Sequence, residues 1–238
     1  MDGRILVTRP QPAAERTSER LAAMGFTAVE LPLTQTVALP VRAGAIPAEF
    51  DAVAVTSENA LLHAGDTLSS IREKPCFAVG ARTAARARVC GFTTVIEGPG
   101  DAAALADIVI GATKAQATIL FLCGRDRLDR LETALSTSGR RPVPVETYDT
   151  QDVSYSAETL AEKLGEGAFA AVLLYSVRAA ARCAELISNR QLSTDRLICL
   201  SPRISKPVTA LTGLRIEIAP ASTEAAVLAL LLPAAKGA

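Results

Sequence analysis

At 238 residues the chain is long for one simple domain and comfortable for two. Hydrophobic residues make up 49%, yet aromatics are only 4% and Trp is absent, so the core must be Ala, Val, Leu and Ile, with no aromatic platform for single-stranded nucleic acid. Lys plus Arg equals Asp plus Glu at 25 each, which removes the global basic field of a general nucleic-acid binder.

Ile5-Leu6-Val7-Thr8 is a short β run followed by Arg9-Pro10. Ala14, Thr17, Leu21 and Met24 then recur at three- and four-residue spacing, which predicts a helix over 13–24. Gly25 suits the residue after its end, and a strand over 28–31 completes a β–α–β unit. Residues 33–40 alternate roughly in polarity and close on Pro40, as an exposed ribbon or linker would. Residues 40–47 read as loop.

Phe50-Asp51-Ala52-Val53-Ala54-Val55 then breaks at Thr56-Ser57-Glu58-Asn59 into an Ala-rich helical pattern. A continuous apolar run suits a strand buried on both faces of a parallel sheet. Short helices are expected from Asn59 to His63 and over 67–73. A strand over 76–79 leads into Gly80-Ala81-Arg82-Thr83 and a helix ending at Gly91. A strand over 94–97 precedes Asp101, the expected N-cap of a helix bearing Leu105, Ile108 and Val109.

The pattern then restarts. A strand over 118–122 enters Cys123-Gly124-Arg125-Asp126-Arg127, and a helix carries Leu128, Leu131 and Leu135 to Gly139. A strand over 143–145 enters Glu146-Thr147-Tyr148-Asp149-Thr150. Phe169-Ala170-Ala171-Val172-Leu173-Leu174-Tyr175 breaks at Ser176, echoing the run that broke at Ser57. A strand over 197–200 enters Ser201-Pro202-Arg203, Gly213 precedes a strand over 215–218, and a final helix starts near Thr223. Ile5 to Ile119 is 114 residues, Ser57 to Ser176 is 119, Gly80 to Ser201 is 121 and Gly91 to Gly213 is 122. Landmarks recurring in one order at nearly one offset indicate a duplicated α/β unit. Taken alone, that arithmetic divides the chain in tandem near residue 115.

No Gly-x-Gly-x-x-Gly opens a β–α unit, no Gly-x-x-x-x-Gly-Lys-Ser/Thr is present, and there is no Gly-x-Ser-x-Gly elbow. A nucleotide-dependent α/β enzyme is therefore disfavoured. The five cysteines form no Cys-x-x-Cys pair and sit mostly in apolar runs, as reduced buried thiols do. With one His, no zinc site is expected. No apolar run reaches membrane-spanning length and the N-terminus lacks a signal-peptide region, so a cytoplasmic protein without membrane contact is expected. The single His63 reads as a surface helix residue. What remains is a set of strand-to-helix turns rich in Thr, Ser, Gly and Arg, whose N–H groups, hydroxyls and guanidinium groups suit anionic ligands. Tyr148 follows a strand end in a polar run. Its phenol can donate to a leaving hydroxyl, or it is a half-buried linker residue.

Together these residues resemble the uroporphyrinogen-III synthase family over nearly the whole chain. The carrying segments are Ile5-Leu6-Val7-Thr8-Arg9-Pro10, Val55-Thr56-Ser57-x-Asn59, Ala78-Val79-Gly80-x-x-Thr83-Ala84, Leu122-x-Gly124-x-x-Arg127, Glu146-Thr147-Tyr148-x-Thr150 and Ser201-Pro202-Arg203. The resemblance implies an α/β fold of two related parallel-sheet domains joined by a two-stranded crossing, with a ligand cleft between them. One domain would be discontinuous, 1–33 plus 152–238; the other, 41–144, would be inserted; 34–40 and 145–151 would be linker strands. The implied reaction cyclises hydroxymethylbilane, a linear tetrapyrrole with eight carboxylates, losing water and inverting ring D. It needs no metal or organic cofactor.

By motif position Tyr148 matches the tyrosine proposed to assist departure of the hydroxyl. Thr56, Ser57, Thr83 and Ser176 match cleft hydroxyls, and Gly80, Gly124 and Ser201 fall at the same turns. Arg9, Asn59, Arg125, Arg127 and Arg203 are assigned to substrate carboxylates. Ser201-Pro202-Arg203-Ile204 departs from the family's Gly-x-x-Thr, so hydrogen bonding there must differ. A monomer is expected, with transient hand-over of substrate from the preceding enzyme. The competing reading is a non-catalytic two-domain binding protein that senses a small anionic ligand, which would not need Tyr148.

Overall fold

In the computed structural model, which describes residues 3–232, the apolar runs are strands and the Ala- and Leu-rich stretches are helices. In chain order the first part comprises β1 (Arg4–Val7), α1 (Ala13–Ala23), β2 (Thr27–Glu30), β3 (Thr34–Ala38), β4 (Ala52–Val55), α2 (Glu58–Leu62), α3 (Thr67–Ile71), β5 (Cys76–Ala78), α4 (Ala81–Val89), β6 (Val95–Glu97) and α5 (Ala102–Ala112). There follow β7 (Thr118–Gly124), α6 (Arg130–Thr137), β8 (Arg141–Asp152), α7 (Ala157–Leu164), β9 (Ala171–Leu174), α8 (Val177–Ser188), β10 (Arg196–Cys199), α9 (Pro202–Ser205), β11 (Arg215–Ile218) and α10 (Glu224–Ala229).

These elements form two compact units, one of residues 1–35 with 151–238 and one of residues 36–150. The first unit has a five-stranded sheet in the order β11-β10-β9-β1-β2, parallel throughout. Both faces are covered. Ile5, Val7, Leu173 and Ile198 pack with Leu21 of α1 and Val227 of α10, whereas Leu6, Val172 and Leu197 pack with Leu160 of α7 and Cys183 of α8. Burial on two faces is why these strands read as unbroken apolar runs.

The second unit has a six-stranded sheet in the order β3-β8-β7-β4-β5-β6. Val53, Val55 and Leu120 face α2 and α4 through Ala60, Leu61 and Ala87, and Ala54, Ile119 and Phe121 face α5 and α6 through Leu105 and Leu135. Since β4 and β7 share this sheet, a tandem cut near 115 would divide it. Part of the expected second linker is also sheet: β8 pairs with β7 as far as Tyr148.

Local signals set most element ends. Asp101 Oδ1 accepts from Ala103 N at 3.0 Å and Ala104 N at 2.9 Å, capping α5. The helix expected to carry Leu128 starts later, at Arg130, and Leu128 is exposed. The Arg127 guanidinium donates to Gly124 O at 3.2 Å and holds that stretch as a turn. Helix α7 was not among the expected elements. Ser156 caps it, accepting from Thr159 N at 3.1 Å. Among the described residues no helix is long and apolar enough to cross a membrane.

Candidate active site

A parallel sheet brings every strand's C-terminal end to one edge, where the following turns meet. In the second unit that edge gathers Thr56 and Ser57 after β4, Gly80 and Thr83 after β5, and Gly124, Arg125 and Arg127 at the end of β7. In the first unit it gathers Arg9 after β1, Ser176 after β9, and Ser201 and Arg203 after β10.

Tyr148 reaches the second unit's edge through an irregularity. Cys123 pairs with Glu146 but Gly124 pairs with Tyr148, so Thr147 is an extra residue on β8. A bulge of this kind re-aims the side chain that follows it. Thr147 is fully buried and its hydroxyl donates to Ala60 O at 2.8 Å, while Tyr148 packs against the cluster that contains Ala60 and Leu61. Arg125 N donates to Tyr148 O at 2.9 Å and closes the bulge.

The phenol then lies over Gly124. A Cβ at that position would stand 2.7 Å from Tyr148 Cζ and 3.0 Å from its hydroxyl oxygen. Gly124, placed by sequence among substrate contacts, is thus the residue that leaves room for the ring. Burial pushes the phenol above its ordinary pKa, contact with the Ser57 hydroxyl works against that shift, and Cys123 and Asp126 add to it. The group is therefore protonated and a hydrogen-bond donor across the neutral range.

Ser57 and Ser176 are N-caps. Ser57 Oγ accepts from Asn59 N at 3.2 Å, and Ser176 Oγ accepts from Ala179 N at 3.1 Å. Capping uses one lone pair and leaves the hydroxyl proton to donate, so cap and ligand contact are compatible roles. Neither Ser201 nor Gly80 caps its helix through a side chain, and Thr83 is buried in the first turn of α4. Thr56 and Asn59 are half-buried, and Arg203 is exposed.

The other arginines have carboxylate partners inside the chain. Arg9 pairs with Glu224 at 3.1 Å, with its guanidinium 4.3 Å from the Tyr175 ring centre. Arg127 pairs with Glu132 at 3.0 Å and Glu146 at 3.1 Å, and Arg125 with Glu146 at 3.3 Å and Asp149 at 3.5 Å. For Glu146, burial favours the neutral acid, but hydrogen bonds from Arg127 and Arg125 outweigh it and hold the carboxyl below its ordinary value. A substrate carboxylate would have to exchange with these partners. Beside Arg125 and Glu146 lies a cavity of about 520 Å³, also lined by Leu39, Arg42 and Pro144. Burial raises the Cys123 thiol to about 12, so it is no thiolate nucleophile. Among the described residues no three His, Cys, Asp or Glu side chains are grouped to hold a metal ion.

Sequence reasoning missed His63. Its ring is half-buried at the end of α2, with Nε2 2.9 Å from Thr36 Oγ1 and its centre 6.0 Å from that of Tyr148. The sequence signal was its place four residues, about one helical turn, beyond Asn59.

Two related α/β units, each built on a sheet of mainly parallel strands with hydroxyl- and arginine-bearing turns at its carboxyl edge, define the class: a two-unit α/β protein. The family model described as HEM4, uroporphyrinogen-III synthase HemD, matches residues 15–229, and the chain belongs to the uroporphyrinogen-III synthase family, whose work is heme biosynthesis. Among solved structures, uroporphyrinogen-III synthetase from Helicobacter pylori 26695 matches with a TM-score of 0.67 at 15% identity, over 97% of this chain and 98% of that one. A mutant uroporphyrinogen III synthase from the extremely thermophilic bacterium Thermus thermophilus matches with a TM-score of 0.53 at 18% identity, over 96% of each chain. At these identities the likeness is one of fold. No curated protein matches the chain.

Proposed function

We propose that the chain acts as a cyclising hydro-lyase on hydroxymethylbilane, with Tyr148 assisting loss of the terminal hydroxyl. The observation that carries this is the re-aimed phenol: a bulge turns Tyr148 onto the α2 face, where Gly124 makes room for it and burial keeps it protonated. The phenol donates to the departing oxygen as a pyrrole nitrogen pushes out the leaving group. The resulting azafulvene cation is attacked by the substituted carbon of ring D, and the spiro intermediate fragments and recloses with ring D inverted. The proton consumed in forming water is returned when ring D regains aromaticity, so one bilane gives one uroporphyrinogen III and one water.

The unassisted bilane closes to isomer I, so the protein must fold the substrate as well as help the hydroxyl leave. Positioning and fixed dipoles supply that help. Ser57 and Ser176 donate from their caps, and Arg203 meets a carboxylate. None of the comparisons supports a non-catalytic sensor.

The test is a coupled assay with hydroxymethylbilane generated in situ, oxidation of products, and chromatographic separation of isomers. Isomer III above a no-protein control is the expected outcome. Isomer I alone from a folded sample would remove the enzymatic reading.

A further inference from the structure

His63 is an imidazole beside the reacting phenol for which the proposed mechanism has no use. It ends α2 at the C-cap position, and its ring lies at 29° to that of Tyr148 with centres 6.0 Å apart. That separation is within the range of favourable offset stacking. The ring is not left to rotate, because Nε2 is 2.9 Å from Thr36 Oγ1 on β3. The α2 backbone is also anchored, since Ala60 O accepts from the Thr147 hydroxyl on β8. So α2 is tied to β8, one residue before Tyr148, through Ala60, and its C-cap residue His63 makes the second tie, to β3. Gly124 bounds the phenol at its hydroxyl end, where a Cβ would stand 3.0 Å from the oxygen.

We infer that His63 is a positioning residue for Tyr148: held by Thr36, its imidazole forms a wall along the phenol ring and, with Gly124, restricts the ring to one setting. The ring does this as a neutral group, since burial lowers its affinity for a proton. It touches the tyrosine rather than the substrate. The inference rests on the assignment of Tyr148 to the reaction, and its consequence is that a residue on α2 governs turnover by way of one on β8.

The chain has three tyrosines and no Trp, so phenol ionisation can be followed by ultraviolet absorbance, with Tyr148→Phe as the subtraction control. In the His63→Ala variant kcat should fall about tenfold with KM within about twofold, as expected for a misplaced catalytic group rather than lost binding. The Tyr148 titration should move back towards the ordinary phenol value as water reaches the ring. His63→Phe keeps a ring in place and should restore kcat to within about threefold of the parent. In the Tyr148→Phe background His63→Ala should change kcat by less than about twofold, because two residues acting through one group are not additive. An undiminished kcat in His63→Ala, or an equal fall in both backgrounds, would overturn the inference. If His63→Ala does not fold, the His63→Phe arm decides: a tenfold loss there refutes the wall. A parent protein that forms no isomer III would defeat the catalytic assignment instead. The absorbance titration would still decide whether His63 packs against Tyr148.

Discussion

The two units share one strand order and differ at their outer strand. Written from the same edge, the first sheet runs β11-β10-β9-β1-β2 and the second β6-β5-β4-β7-β8 before adding β3. Strand β2 ends at Glu30, whereas its counterpart β8 runs on to Asp152 and takes a bulge on the way. The same offset that pairs Ile5 with Ile119 sets buried Thr34 against Tyr148. Each unit also has an edge tyrosine, but Tyr175 is covered by the Arg9 guanidinium while Tyr148 stands beside the Ser57 hydroxyl. The two edges are similar except at the outer strand that carries Tyr148, and the proposed chemistry lies at that difference.

The bluntest test of that comparison is to damage each core alone. Phe121→Ala in the second unit and Leu173→Ala in the first each remove a fully buried side chain and should cost about 3–5 kcal/mol. Calorimetry should then resolve two thermal transitions, each variant lowering one of them. Next comes Tyr148→Phe, which should reduce kcat by about 100-fold with KM nearly unchanged, as loss of a positioned proton donor does. Tyr175→Phe should stay within about threefold, because the proposed reaction assigns proton donation to Tyr148 and Tyr175 is covered by the Arg9 guanidinium. Equal losses in the two variants would end the asymmetry.

A smaller effect separates two glycines. Gly124→Ala should displace the phenol, lowering kcat about tenfold and stability by about 1–3 kcal/mol through overpacking. Gly139, at φ +76° with open space around it, ends α6. Gly139→Ala should cost about 1–2 kcal/mol from left-handed backbone strain, seen in denaturant unfolding, and leave kcat alone.

The smallest effect concerns acid. The Glu146 carboxyl is depressed in the folded state, so its contribution to stability is present above the ordinary value of 4.5 and is lost as pH falls through the lower folded value. Glu146→Gln should therefore flatten the acid limb of the stability curve. Its side chain is 38% exposed, so solvent screening keeps the change within about 1 kcal/mol.

Much of the fold was legible because caps and two-faced burial are local. Ser57, Asp101, Ser176 and Thr223 stand at helix starts, and the apolar runs at residues 52–55 and 171–174 are central strands. Helix α7 was overlooked because two leucines, Leu160 and Leu164, are its whole buried stripe. The offsets revealed the repeat but not which copies share a sheet, since strand pairing leaves no mark on periodicity. At the site, Tyr148 and Gly124 were legible only as members of short motifs. Their mutual contact, the bulge, the setting of His63 and the pairing of Arg9 with Glu224 all depend on residues far apart in sequence.

The discontinuity of the first unit, whose β1–α1–β2 segment precedes the whole of the second, has a consequence for synthesis. Strand β1 lies between β2 and β9, and Thr8 donates to Leu173 O across a separation of 165 residues. At ribosomal speeds of about 5–20 residues per second, β1 waits on the order of ten seconds or more for that partner. Meanwhile β4, the strand equivalent to β9, emerges earlier and offers a similar edge. What diverts it is β7, with which it pairs along Ala52–Val55. A β1–β4 pairing is thus open to the nascent chain before the native β1–β9 pairing, and completion of the inserted unit, continuous in sequence, closes it off.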